Sequence, residues 1–266
     1  MTALVADVKE MIEEQFHYRE LLFQMTKRDL MLRYKQSVMG FGWAIFMPLI
    51  NTVVFTLILN RAVPIDTGMP YPLFAFTGLL VWNFFASSLK FAVNSLTTNV
   101  SLVTKVYFPR EIFPFSAVIV CLVDFAVASL VLIAMMVYYR VPPTVQLVWL
   151  PVVLLIHIAF TTGVALILAM SNLFYRDVKY LFEIVVTVWM FATSVLYPVD
   201  HIGGKVGLIM RLNPMTPIVD AYRNVLVYGR SPFTPDLAAA AVVSLLTLAI
   251  AWLYFHRAEF QFAENI

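Results

Sequence analysis

Charge is scarce in this chain: 18 Lys and Arg and 16 Asp and Glu make up 13% of 266 residues. A soluble domain carries about twice that share. Apolar residues fill the gap, at 61% of the chain, and the mean hydropathy is +0.84. A soluble fold of this length has too little interior to hide so much apolar surface. An ordinary cytosolic enzyme, a disordered chain and a secreted disulfide scaffold are excluded, and an integral membrane protein remains. Cysteine is nearly absent. Cys121 stands alone, which excludes an internal disulfide and any multi-cysteine metal site. Within its apolar run it reads as a small buried hydrophobe. The net charge of +2 is too small for a nucleic-acid surface, so no nucleic-acid partner is expected.

Catalytic constellations are missing too. His17, His157, His201 and His256 are scattered and lack the HExxH spacing. Gly203-Gly204-Lys205 has none of the remaining GxxxxGK[ST] phosphate loop. No catalytic residue, metal ligand or ATPase site is therefore expected in this chain. No cleavable leader is expected either, because the first 40 residues are polar and charged. The first span is expected to act as its own insertion signal.

What the chain does have is long apolar runs. Six lie at 41–60, 71–89, 112–139, 141–175, 184–199 and 237–255, and a spanning helix needs roughly 20 such residues. The fourth spans from about Gln146, after the Pro142-Pro143 break. The fifth is short and borrows 180–183. The runs are continuous and do not alternate, which excludes barrel strands. An all-α integral membrane fold with six transmembrane helices follows. Of the 18 Lys and Arg, Lys9, Arg19, Lys27, Arg28, Arg33, Lys35, Lys90, Lys105, Arg110, Arg176, Lys179 and Arg257 fall on the side of the N-terminus. Arg61, Arg140, Lys205, Arg211, Arg223 and Arg230 fall on the other. That bias places both termini in the cytoplasm, as an even number of spans requires.

The pieces outside the spans divide the chain further. Residues 1–40 form a cytoplasmic arm. Leu21, Leu22, Met25 and Leu32 alternate there with Lys27, Arg28, Arg33 and Lys35, the pattern of an amphipathic helix in the membrane interface. Residues 41–256 form the six-span unit, with cytoplasmic loops at 90–111 and 172–179, and 257–266 form a tail. The outer segment 200–234 holds two short apolar patches split by Arg211-Leu-Asn-Pro-Met-Thr-Pro217. Each is too short to span, so two re-entrant gate helices between spans 5 and 6 are expected. Inside the spans, Asp124 must meet a partner, water or the protein interior, since an exposed charge there costs several kcal/mol. The 22 Phe, 12 Tyr and 5 Trp supply flat faces on which sugar rings slide. Trp43, Phe46, Phe55, Trp189 and Tyr197 are the candidates for a channel lining.

Four motifs then occur in order. Lys27-Arg-Asp-Leu-Met-Leu-Arg-Tyr-Lys-Gln-Ser-Val-Met-Gly-Phe-Gly-Trp43, followed by Pro48-Leu49, resembles the opening signature of ABC-type polysaccharide and polyol-phosphate export permeases. Tyr107-Phe-Pro-Arg-Glu111 and Phe174-Tyr-Arg-Asp-Val178 resemble that family's two coupling-loop motifs. Asn213-Pro-Met-Thr-Pro217 with Ala221-Tyr222-Arg223 resembles its outer segment. The resemblance implies the transmembrane subunit of an exporter of lipid-linked O-antigen, capsule or teichoic-acid polymers. It implies a homodimer of this chain in the bacterial inner membrane, with two copies of a cytoplasmic nucleotide-binding subunit that binds ATP and Mg. On the matching positions it implies coupling contacts at Lys105, Tyr107, Phe108, Arg110, Glu111, Arg176 and Asp177. It puts Arg28, Asp29, Arg33 and Tyr34 at the inner mouth, where arginine suits a phosphate headgroup. It puts Arg211, Asn213, Pro214, Tyr222 and Arg223 at the outer gate. Two other readings compete: a proton-coupled secondary transporter using Asp124 and His157, and a membrane-embedded transferase.

Overall fold

The computed structural model describes residues 2–35, 37, 39–40, 42–62, 67–105, 108–199, 202 and 204–259, without the side chains of 2–8, 59–62, 104–105 and 206. Tyr107, His201 and the end of the tail lie outside the described residues, as does the Lys105 side chain. Among the described residues the regular structure is all helix, with no strand. Helices α1 (Thr2–His17) and α2 (Arg19–Tyr34) precede the apolar part. Then come α3 (Gly42–Ala62), α4 (Tyr71–Thr98), the short α5 (Val100–Lys105) and α6 (Ile112–Tyr138). A 3-10 turn at Val145–Trp149 leads into α7 (Leu150–Phe174), and α8 (Val178–Phe191) follows. Two short helices, α9 (Gly204–Leu212) and α10 (Met215–Arg223), come next, α10 running on as a π turn at Asn224–Tyr228. Last is α11 (Pro235–Ala258).

Among the described residues four helices are long and apolar enough to cross a membrane: α4, α6, Val145–Phe174 and α11. They coincide with the second, third, fourth and sixth apolar runs. The first run is α3, whose apolar part is Gly42–Ile58. The fifth is α8, which has 14 residues. At 1.5 Å per residue it covers about 21 Å, short of the roughly 30 Å of a hydrocarbon core. The chain continues from it as a buried, non-helical turn over 192–199.

Local chemistry sets the helix ends. Pro72 and Pro235 sit in the first turns of α4 and α11, where a missing N–H costs nothing. The Thr234 hydroxyl accepts from the Leu237 N–H at 3.1 Å and caps α11. The π turn stops at Gly229, whose φ of 62° is left-handed.

Helix α4 is the central post. It is buried along most of its length and packs against α3, α6, α7, α8 and α10. Helices α7 and α11 approach so closely at Gly163 that a Cβ there would lie 2.8 Å from the Leu248 nitrogen. Small residues at such crossings let membrane helices meet backbone to backbone. At one end, called basal here, α1, α2, α5, the start of α6 and the end of α11 meet. At the distal end, the turn after α8, α10 and the start of α4 meet.

Helix α2 does not lie across the basal end but runs beside α6. Its contacts advance from Ser116 at Asp29 to Asp124 at Arg33 and Tyr34. That is two turns along α6, about 12 Å.

Candidate functional site

Of the four arm residues, Asp29, Arg33 and Tyr34 converge on α6, and Arg28 reaches Asn99 between α4 and α5. Arg33 Nη1 lies 2.7 Å from Asp124 Oδ2, and the Tyr34 hydroxyl donates to Asp124 Oδ1. The Arg33 guanidinium also stacks 4.3 Å over the Phe91 ring. Asp124 thus meets the partner its position demands, and the pairing offsets the cost of placing a carboxylate among apolar helices. One turn back, Arg28 donates to Asp29 Oδ1 at 2.8 Å and to Asn99 Oδ1 at 3.0 Å. The Ser116 hydroxyl donates to Asp29 Oδ2 at 3.0 Å. The Tyr34 phenol is pushed well above its ordinary pKa, first by burial and then by its bond to Asp124. Beside this clamp opens a cavity of about 300 Å³, lined by Arg33, Tyr34, Trp43, Asn83, Ser87 and Asp124 among others.

The two coupling motifs are placed differently. In the first, Phe108 is buried and packs at 5.5 Å from the Phe113 ring. Arg110 donates from its guanidinium to the main-chain carbonyls of Glu259 and Val103. Glu111 is 1% exposed, and its Oε1 lies 3.2 Å from His256 Nδ1. Glu14 of α1 approaches the same His256 nitrogen, at 3.9 Å. Burial, reinforced by Glu111, pushes the Glu259 carboxyl up to about 7. Burial also raises Glu14. The second motif is outside: Tyr175, Arg176 and Asp177 are all exposed at the turn between α7 and α8. Asp177 is the N-cap residue of α8.

The distal end is built around one side chain. Arg223 is 1% exposed. Its guanidinium donates to the carbonyls of Ser194, of Val195 at 2.7 Å and of Phe74 at 3.2 Å. It also meets Asp220 Oδ1 at 3.2 Å and lies 3.5 Å over the Phe74 ring. The Ser194 hydroxyl donates to the same Asp220 oxygen at 2.9 Å. The carbonyls freed where α8 breaks would each cost several kcal/mol in an apolar medium. Arg223 satisfies two of them, and Tyr71 satisfies a third by donating to Leu196 O at 3.0 Å. Gly78 makes room: a Cβ there would sit 2.3 Å from the Val195 carbonyl oxygen and 2.4 Å from the guanidinium.

Asn213 performs a second stitch. Its amide donates to Ala192 O at 3.0 Å and Thr193 Oγ1 at 2.8 Å, while its Oδ1 accepts from Trp189 Nε1 at 2.9 Å. Pro214 is the N-cap residue of α10. Tyr222 is buried, its hydroxyl 3.5 Å from His157 Nδ1. Arg211 is exposed.

The channel-lining candidates also divide. Trp43 and Phe46 are exposed on α3, and Phe55 is half-buried against the core. Trp189 sits edge-on to Phe85 at 5.1 Å and Phe160 at 6.2 Å. The Tyr197 hydroxyl donates to Phe191 O. Asp220, Ser194, His256 and Glu259 were missed when the sequence was read for sites. Asp220 alone had a local signal, its i,i+3 spacing to Arg223. The others are joined to their partners only by the fold.

Residues 20–227 match the family model described as "ABC-2 type transporter". An O-antigen export system permease protein RfbA of Myxococcus xanthus is 32% identical, over 96% of this chain and 99% of the relative. A Klebsiella pneumoniae protein of the same description is 28% identical, over 92% of this chain and 94% of the relative. A polysialic acid transport protein KpsM of Escherichia coli is 22% identical, over 87% of this chain and 91% of the relative.

Proposed function

This chain belongs to the ABC-2 type transporter family, and from that premise we propose that it is the permease subunit of an ATP-driven exporter of a lipid-linked polysaccharide, most closely of O-antigen type. The full-length similarity to relatives described as O-antigen export permeases carries this reading. In it, two copies of the chain enclose the conduit in the bacterial inner membrane, with the basal end and both termini in the cytoplasm. A separate nucleotide-binding subunit, present in two copies, hydrolyses ATP with Mg.

The two mouths then have distinct tasks. The exposed Arg176 and Asp177 offer the direct contact to the nucleotide-binding subunit. Arg110 and Glu111 act one step behind. They tie the first coupling loop to the ends of α11 and α1, so that a push on the loop reaches both helices. Arg33, Tyr34 and Trp43 face the basal cavity, where a phosphate-linked sugar would meet a cation and an aromatic face. The distal turn over 192–199 and helices α9 and α10 form the outer gate. Asp124 is already neutralised by Arg33, which favours a holding role over a proton-carrying one and argues against the secondary-transporter reading.

Co-purification with the ATPase encoded nearest to this chain tests the assignment. The complex is expected to hydrolyse ATP faster when lipid-linked glycan is added. Arg176→Ala with Asp177→Ala is expected to leave the chain in the membrane and abolish that stimulation. Unchanged stimulation in the double variant would remove the coupling role from this turn.

A further inference from the structure

The second half of the arm helix α2 and its C-cap carry four cations, Lys27, Arg28, Arg33 and Lys35, and the fold uses them unequally. Arg28 and Arg33 turn toward α5 and α6 and are consumed by Asp29, Asn99 and Asp124. Lys27 and Lys35 are exposed, and among the described residues neither pairs with a carboxylate. They flank an open groove of about 640 Å³ between α2 and α6, walled by Phe23, Met31, Ile119 and Val123. No acidic side chain lines it. A shallower basic depression on the same helix shares Lys27, Met31 and Lys35 with it.

We propose that this groove seats an anionic glycerophospholipid of the surrounding leaflet, one acyl chain along Ile119 and Val123 and the phosphate between Lys27 and Lys35. The charge pattern selects the occupant. Positions 27 and 35 are eight residues apart, about 12 Å along the helix, and long lysine side chains fold back toward a phosphate placed between them. A zwitterionic headgroup brings its own cation to the same place and loses that attraction. An apolar wall with a cationic rim and no acid repels nothing in an anionic lipid, whereas a helix of another protein would need acidic partners at both ends. The seated lipid would brace α2 beside its clamp on α6. This goes beyond the export reading, since it concerns the bilayer and not the cargo.

Native mass spectrometry of the full chain in detergent tests the proposal by titration with phosphatidylglycerol or phosphatidylcholine. Each lysine near an anionic headgroup contributes enough for the wild type to retain phosphatidylglycerol about tenfold better than phosphatidylcholine. Lys27→Gln with Lys35→Gln is expected to bring the two lipids level, and Lys27→Arg with Lys35→Arg to keep the preference. Val123→Trp fills the groove without touching charge and is expected to lower retention of both lipids. Size exclusion and circular dichroism establish that each variant is folded. Equal retention of the two lipids by the wild type, or undiminished preference in the glutamine pair, would overturn the proposal. So would displacement of phosphatidylglycerol by an equimolar polyprenyl pyrophosphate, which would give the groove to the cargo instead. That last outcome leaves the export reading intact, and failure of export leaves the lipid preference intact.

Discussion

The two ends of this molecule use charge in opposite ways. At the distal end one buried arginine donates to main-chain carbonyls of a broken helix. At the basal end, cations meet carboxylates and a histidine: Arg33 with Asp124, Arg28 with Asp29, His256 with Glu111 and Glu14. That guanidinium is held at once by three carbonyls and by Asp220, so the distal turn is fixed from several directions. Paired side chains can exchange partners, and a helix tied only by them can be released and retaken. The contrast fits the proposed exporter, in which the basal end would answer an ATPase while the distal turn keeps its shape.

The largest effect should come from the distal staple. Arg223→Met leaves the carbonyls of Ser194, Val195 and Phe74 without that donor and Asp220 without its cation. Breaking a buried charged contact of this kind costs about 3–5 kcal/mol, and the thermal midpoint in detergent should fall accordingly. Gly78→Ala attacks the same place by volume. It should cost about 1–3 kcal/mol by overpacking, and a double variant with Arg223→Met should cost less than the sum, because both act on one contact.

The basal clamp should yield to smaller perturbations with a local signature. Asp124→Asn keeps the bond from Tyr34 but removes the charge that holds Arg33. Limited proteolysis within α2 should accelerate several-fold while the thermal midpoint of the helical core shifts by roughly 1 kcal/mol or less. Equal loss at both ends would erase the distinction.

The smallest effect is one of pH. The Glu259 carboxyl titrates near 7 in the fold against 4.5 for the ordinary group. Between those values the folded chain holds more protons than the unfolded one, so this contribution is full below about 4.5 and is lost as pH rises through 7. Glu259→Gln should therefore flatten the decline of the thermal midpoint across that window, and Arg223→Met should leave the slope unchanged.

Much of this architecture is legible in the sequence, because long apolar runs declare themselves whatever they pack against. Helices α4, α6, α7 and α11 follow the runs that contain them, and Pro142-Pro143 marks where the fourth crossing begins. Asp124 announced that it needed a partner, since no bilayer tolerates it alone, but not that the partner would come from Arg33, some 90 residues earlier. The break at the end of α8 was hidden because 184–199 is free of charge throughout. Helix and buried turn look alike in composition, and only Arg223 and Asn213 tell them apart in space. The family resemblance set Arg110 and Glu111 beside Arg176 and Asp177 as coupling contacts without telling buried from exposed. The fold turns Glu111 inward onto His256, a partnership made by the meeting of α6 with the end of α11.

The central claim is that the chain is a conduit powered by another subunit. Proteoliposomes containing the chain, with and without its nucleotide-binding partner, test it by following a fluorescent lipid-linked glycan into a protected compartment. Transport is predicted only when both subunits and ATP are present, and Arg176→Ala with Asp177→Ala should abolish it. Movement driven by a pH gradient across vesicles that hold this chain alone would contradict the account.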